Sequence, residues 1–217
     1  MTTTSPPGPA KSSSSPIITL RLPSKYASTS DSSSSSSVFT PPPLEWLHRT
    51  WSVTHSTLSM WRTARNVRIT YTPLPPLASD PSRARIDDLV EYEASSGKGG
   101  VKSVAGTDTA SSPPNDSSVW DWRGKGWLFF VGSHWEVLGC GEHTRNDGST
   151  ERWVVTWFKA TVFTKEGLDI YSDRKEGASE ELVEGILAAL RGLDAKGFVD
   201  MADGMLPVEI SLPWKEK

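Results

Sequence analysis

Cysteine is almost missing: Cys140 is the only one in 217 residues. That excludes an internal disulfide and any CxxC metal knuckle, and it fits a reducing compartment, so a cytoplasmic location is expected. No apolar run approaches the length of about 18 residues that a membrane-spanning helix needs. The chain begins without an apolar h-region, which argues against Sec-type secretion. Histidines number four, with no HExxH, haem-attachment or Pro-Cys-x-x-Cys motif beside them, so neither a metal nor a cofactor is expected. Also absent are the Gly-x-Ser-x-Gly elbow, the dinucleotide fingerprint, the GxxxxGK[ST] phosphate loop and the kinase signature. Basic charge is not in excess either. Of 23 basic and 26 acidic residues, only Lys11, Arg21, Lys25 and Asp31 precede Leu44. The stretch from Leu44 onward is therefore mildly acidic, which disfavours a nucleic-acid partner.

What is present in quantity is serine and proline at one end and tryptophan elsewhere. Residues 1–43 carry SSSS at 12–15, SSSSSS at 32–37 and PPP at 41–43, a composition that buries too little apolar surface to offset ordering entropy. They read as a disordered Ser/Pro-rich tail. Their composition also resembles an organellar transit peptide, the alternative location. Within them only IITLRL, 17–22, has strand-like content that could dock on a sheet edge. The ten tryptophans are Trp46, Trp51, Trp61, Trp120, Trp122, Trp127, Trp135, Trp153, Trp157 and Trp214. Flat side chains with one polar N–H suit concave pockets as well as cores.

From Leu44 the pattern is a series of short alternating segments: 48–56, 66–73, 85–95, 101–109, 120–131, 134–142, 151–163 and 167–173. Each is rich in Val, Trp, Tyr, Phe and Thr and bounded by turn residues such as PLPP, SSGKGG and RNDGST. One helix, about 179–193, comes after them. Ser179 is its expected N-cap, Glu180 and Glu181 favour the positive end of its dipole, and Leu182, Val183, Ile186, Leu187 and Leu190 form its apolar stripe. Eight consecutive strands and a terminal helix predict an all-β, up-and-down antiparallel barrel over 44–217, with the helix on its wall. Such a barrel can enclose one small ligand.

RTWSVTHS at 49–56 resembles the first strand of lipocalins, with Arg49 where that family has glycine. LDIYSDRKEGASEELVEGILAALRGLDAKGF is similar to the lipocalin ending of last strand, Ser-Arg element and acid-opened helix. The WDWRGKGW segment resembles one in fungal lipocalin-like proteins. The resemblance implies a calycin-type barrel whose floor is closed by Arg174 stacking over Trp51.

Strand parity then gives the lumen. Trp51, Val53 and His55 share one face of the first strand, joined by Val67, Ile69 and Tyr71, by Val90 and Tyr92, and by Trp135 and Val137. These predict a site for a small hydrophobic, preferably aromatic, molecule, with His55 hydrogen-bonding its polar end. A cofactor-independent isomerase, cyclase or dehydratase is the rival, with His55, Tyr71 and Tyr92 as its acid/base candidates. His134 and Glu136, opposite in parity to Trp135, are expected to face solvent. Asp87, Glu91 and Glu93 read as a solvated outer face, and the tryptophans around Gly124 and Gly126 as packed. Oligomeric state is not legible.

Overall fold

Residues of alternating polarity make strands with one face to bury, and closing the sheet buries it. The computed structural model describes residues 18–27, 39–111 and 116–216. A helical turn, α1 (Leu44–Leu47), leads into β1 (Thr50–Ser56), followed by β2 (Ala64–Leu74), β3 (Arg85–Ala94), β4 (Lys102–Ala110), β5 (Val119–Gly124), β6 (Gly132–Thr144), β7 (Thr150–Phe158) and β8 (Gly167–Ser172). Each strand pairs antiparallel with the next, and β1 pairs with both β2 and β8, so the barrel closes. This is the up-and-down barrel expected from the sequence, with its C-terminal helix α2 (Glu180–Arg191).

The fifth strand ends at Gly124, seven residues before the expected 131, where a 3-10 turn over Gly126–Leu128 begins. The seventh ends at Phe158. A second helix, α3 (Lys196–Ala202), and a two-residue strand β9 (Leu206–Pro207) that pairs with β1 are additions.

Two apolar layers result. The lumen holds Trp51, Val67, Ile69, Tyr71, Trp120, Trp135 and their neighbours. Outside the wall, Leu138, Trp153, Val155, Trp157, Leu168 and Ile170 pack against Leu182, Ile186 and Leu190 of α2 and Phe198 of α3. β7 and β8 are therefore buried on both faces, which explains the nearly continuous apolar run of Trp153 to Phe158 in β7. Ser179 caps α2 as expected, its hydroxyl accepting from the Leu182 N–H, while its own N–H donates to Glu151 at 2.9 Å.

The stretch 1–43, read as a disordered tail, needs correction where it is described. Residues 18–27 lie on the outer face of β6: Arg21 donates from its backbone to the Leu138 carbonyl at 2.9 Å, and Ile18, Leu20 and Leu22 join the outer layer. Gly139 permits this approach, because a Cβ there would stand 2.4 Å from Leu20. Apolar alternation in 18–22 outweighs the surrounding composition. The remainder of 1–17 and 28–38 lies outside the described residues.

The opposite wall is covered by the C-terminal segment. Asn66, in the left-handed region at φ 52 where a β2 bulge requires it, accepts from the Ser211 N–H at 2.7 Å and donates to Glu93 at 2.7 Å.

Candidate ligand-binding site

The hairpins β1–β2, β3–β4, β5–β6 and β7–β8 meet at one end of the barrel, and α1 closes the other. The closed end is a packed floor. Trp51 is fully buried and donates its indole N–H to the Leu47 carbonyl at 3.0 Å. Above it Trp135 stacks between Tyr71 and Trp120, with ring centroids 5.7 and 5.8 Å away. Val53 and Val137 are wholly buried in the same layer.

The other end is open. A mouth cavity of about 370 Å³ is lined by Leu58, Trp61, Val90, Tyr92, Val104, Trp122, Trp127, Leu128 and Phe163, among others. A deeper cavity of about 140 Å³ is lined by Ile69, Tyr71, Asp88, Trp122, Trp135, Thr156, Phe158 and Tyr171. Val90, Trp122 and Ser133 belong to both linings, so the two cavities adjoin. Trp122 can lie across the lumen only because Gly106 faces it; a Cβ there would sit 2.0 Å from the indole nitrogen.

Of the side chains assigned to the lumen by parity, Ile69, Tyr71 and Trp135 line the deep cavity and Tyr92 the mouth. Trp51, Val53 and Val137 lie in the floor, beneath the open space. His55 is a correction. A bulge between Val53 and His55 shifts the register, so that Ser56 pairs with Asp169 and His55 with Ile170, a member of the outer layer. One extra residue reverses every face beyond it. His55 thus faces away from the lumen beside Pro207, and burial and the nearby Arg62 charge lower its pKa.

Arg174 does not close the floor. Its side chain bonds Glu176, while Arg49 lies over the Trp51 ring at 5.3 Å and over Trp46 at 5.5 Å. Arg49 sits two residues from Trp51 on the same parity, so the cation comes from the residue that replaces the glycine.

Strand parity also carries inward side chains that the alternation of apolar residues does not mark. Asp88 pairs with Tyr71, and Asp169 lies two residues before the inward Tyr171 on β8. Asp108 accepts from the Trp135 indole at 2.8 Å. All three carboxylates are buried. Burial, and then the Asp87 charge, push Asp88 up to about 7. Burial likewise pushes Asp169 up to about 7. Burial and the neighbouring Asp88 raise Asp108 well above the carboxylate range. One oxygen of each, Asp88 Oδ1, Asp108 Oδ2 and Asp169 Oδ1, has no hydrogen-bond partner.

The outer acids differ from the expectation in the opposite way. Glu136 is fully buried beneath 18–27 rather than solvated, accepting from Arg21 at 2.7 Å and from the Ser24 N–H at 3.1 Å. Burial alone would raise its pKa, but His134, Ser24 and Arg21 hold it at about 2. Glu93, 1% exposed, accepts from Asn66 and from the Lys215 N–H at 3.0 Å, and its pKa is lowered. Trp127 is 74% exposed rather than packed. Among the described residues no group of three or more His, Cys, Asp or Glu is placed to hold a metal ion, and no helix is long and apolar enough to cross a membrane. A polar depression of about 580 Å³ beside the start of α2, lined by Arg145, Asn146, Glu180 and Glu184 among others, lies outside the barrel.

No family model matches the chain, and no curated protein does. Among solved structures it is similar to lobster apocrustacyanin A1, with 11% identity and a TM-score of 0.45 over 77% of this chain and 79% of that one. The closed barrel stands on its own strand pairing, independent of that likeness.

Proposed function

We propose that the barrel binds a small hydrophobic, preferably aromatic, molecule, taken in through the mouth and held above the Tyr71–Trp135–Trp120 stack. The observation that carries this reading is the pair of adjoining cavities, one lined by Trp61 and Tyr92 at the mouth and one by Tyr71 and Trp135 within, both rich in aromatic side chains and backed by a packed floor. At about 25 cal/mol per Å² of apolar surface, a ligand burying a few hundred Å² gains several kcal/mol before association costs, which is sufficient for micromolar binding. The binding side chains are then Ile69, Tyr71, Tyr92, Trp122 and Trp135. A cytoplasmic location is proposed with it, from the presence of a single cysteine, Cys140.

Native mass spectrometry of protein purified from its own source tests the reading. A retained small molecule, displaced by added aromatic compounds that quench tryptophan fluorescence, is expected. A bare chain that no such compound quenches would overturn it.

One observation favours a second reading, a cofactor-independent isomerase, cyclase or dehydratase. Asp88, poised near neutrality and paired across the strands with Tyr71, suits proton transfer. His55 leaves the candidate set because it faces outward, and Tyr92 sits at the mouth against Trp61. Recovery of a ligand whose structure changes on incubation with the protein distinguishes turnover from storage.

A further inference from the structure

Buried carboxylates normally come with a cation, and these do not. No lysine, arginine or histidine lines either cavity. Asp88, 7% exposed, lines the deep cavity with Oδ1 unpartnered, and Asp108 lies behind it on the neighbouring strand. The charged groups around Asp88 are Asp87, Asp108 and, from the rim, Lys125; Lys125 bonds Asp87. Trp122, Trp135 and Tyr71 line the same space, and aromatic rings attract a cation as well as another ring. A bare buried carboxylate is costly, so Asp88 either holds its proton or meets a positive charge that a ligand supplies.

We propose that the ligand is an arylalkylamine in its ammonium form, its ammonium group held by Asp88 and its ring packed against Trp122 and Trp135. The proposal rests on the binding reading above and adds the chemistry of the polar end. On binding, the ammonium ion keeps its proton and a protonated Asp88 carboxyl gives its proton up to solvent.

Three probes of one ring system separate the possibilities by titration calorimetry: tryptamine, tryptophol and indole-3-acetate. Tryptamine is expected to bind at least about tenfold more tightly than tryptophol, with indole-3-acetate weakest, as charge-assisted bonds require. Repeating the titration in buffers of different ionisation enthalpy should show proton release near neutral pH. Asp88→Asn should abolish the preference for tryptamine while leaving tryptophol binding in place. Asp108→Asn serves as a second variant that leaves Asp88 itself intact and should retain the preference. Equal binding of the three probes overturns the amine assignment and leaves the lumen reading standing. Binding of none of them removes both.

The mouth carries a separate observation. Trp127, Phe129, Phe130, Val162 and Phe163 are between 56% and 77% exposed. They form one patch, with Trp127 and Phe130 both edge-on to Phe163. In the four loops around the mouth, 57–63, 95–101, 125–131 and 159–166, the basic residues are Arg62, Lys98, Lys125, Lys159 and Lys165, against Glu166 alone. This occurs on a chain whose net charge is −3. An apolar tip ringed by lysines on an acidic protein fits an anionic lipid surface, into which aromatic side chains insert to headgroup depth.

We infer that the mouth docks on anionic membranes. Co-sedimentation with vesicles of phosphatidylcholine mixed with phosphatidylserine should pellet the protein, and added salt should reverse this. Vesicles of phosphatidylcholine alone should leave most of it in solution. The double variant Trp127→Ser, Phe163→Ser should lose binding while keeping its circular dichroism. Failure to pellet on either vesicle overturns the inference, as does a concentration-dependent dimer that the variant abolishes, since a second copy would then cover the patch.

Discussion

Glu136 and Asp88 are both buried acids on the same barrel, one on its outer wall and one in its lumen, and they are treated in opposite ways. Glu136 is surrounded by Arg21, Ser24 and His134 and held at about 2. Asp88 has a free oxygen, a like charge nearby and a value near 7. Glu93 repeats the first pattern, and Asp169 shares with Asp88 the free oxygen and the value near 7. The outer acids act as fasteners, each tying a terminal segment to the wall. The inner ones tie no terminal segment and each keeps one oxygen unpartnered; where such an oxygen belongs to a cavity-lining residue, as in Asp88, it marks a place for a ligand.

The largest effect should come from breaking a fastener. Arg21→Ala leaves Glu136 buried with only Ser24 and His134 and is expected to cost about 3 to 4 kcal/mol in urea unfolding. It should also expose backbone amides of 18–27 to hydrogen exchange. Unchanged stability would mean that the segment is not held by this pair.

The two sets should also oppose each other in pH. Glu136, lowered on folding, stabilises above its unfolded value of 4.5, and that contribution is lost as pH falls toward about 2. Asp169, raised from 3.8 to about 7, holds a proton in the folded state that the unfolded chain has released, so stability declines as pH rises through that interval and then levels. The urea midpoint should therefore peak in mildly acidic solution. Asp169→Asn should raise stability at pH 8 by about 2 kcal/mol and have little effect at pH 4. A gain of equal size at both pH values would show that the lumen acid is not the cause.

Gly106→Ala sharpens the comparison from inside the cavity. Its methyl would displace the Trp122 indole that lies beside Asp88, so a loss of about 1 to 2 kcal/mol is expected, with a red-shifted tryptophan emission. The smallest effect belongs to the floor cation. Arg49→Ala should cost about 0.5 to 1 kcal/mol through loss of its contact with Trp51, and Arg174→Ala less still. Reversal of that order in thermal melts would return the closing role to Arg174.

Much of this architecture is legible in the residues. Alternation marks all eight strands, and Ser179 with Glu180 and Glu181 marks the start of α2. Tyr71, Trp135 and Tyr92 can be placed inward because no bulge intervenes between them and their inward neighbours. His55 cannot, since a single extra residue in β1 is invisible to parity counting. Asp88 shares parity with Val90 and Tyr92, but its acidic neighbours make the segment look solvated and hide it. The burial of Glu136 and Glu93 depends on segments more than a hundred positions away in sequence, 18–27 and 209–215, and no local pattern signals that.

The most direct test follows the carboxyl carbon of Asp88 by NMR against pH, in the free protein and with saturating tryptamine. A free-protein titration near 7 that moves into the ordinary carboxylate range when the amine is added is the expected result. A carboxyl that already titrates near 4, and is unmoved by the amine, would contradict the view that the lumen acids await a cation.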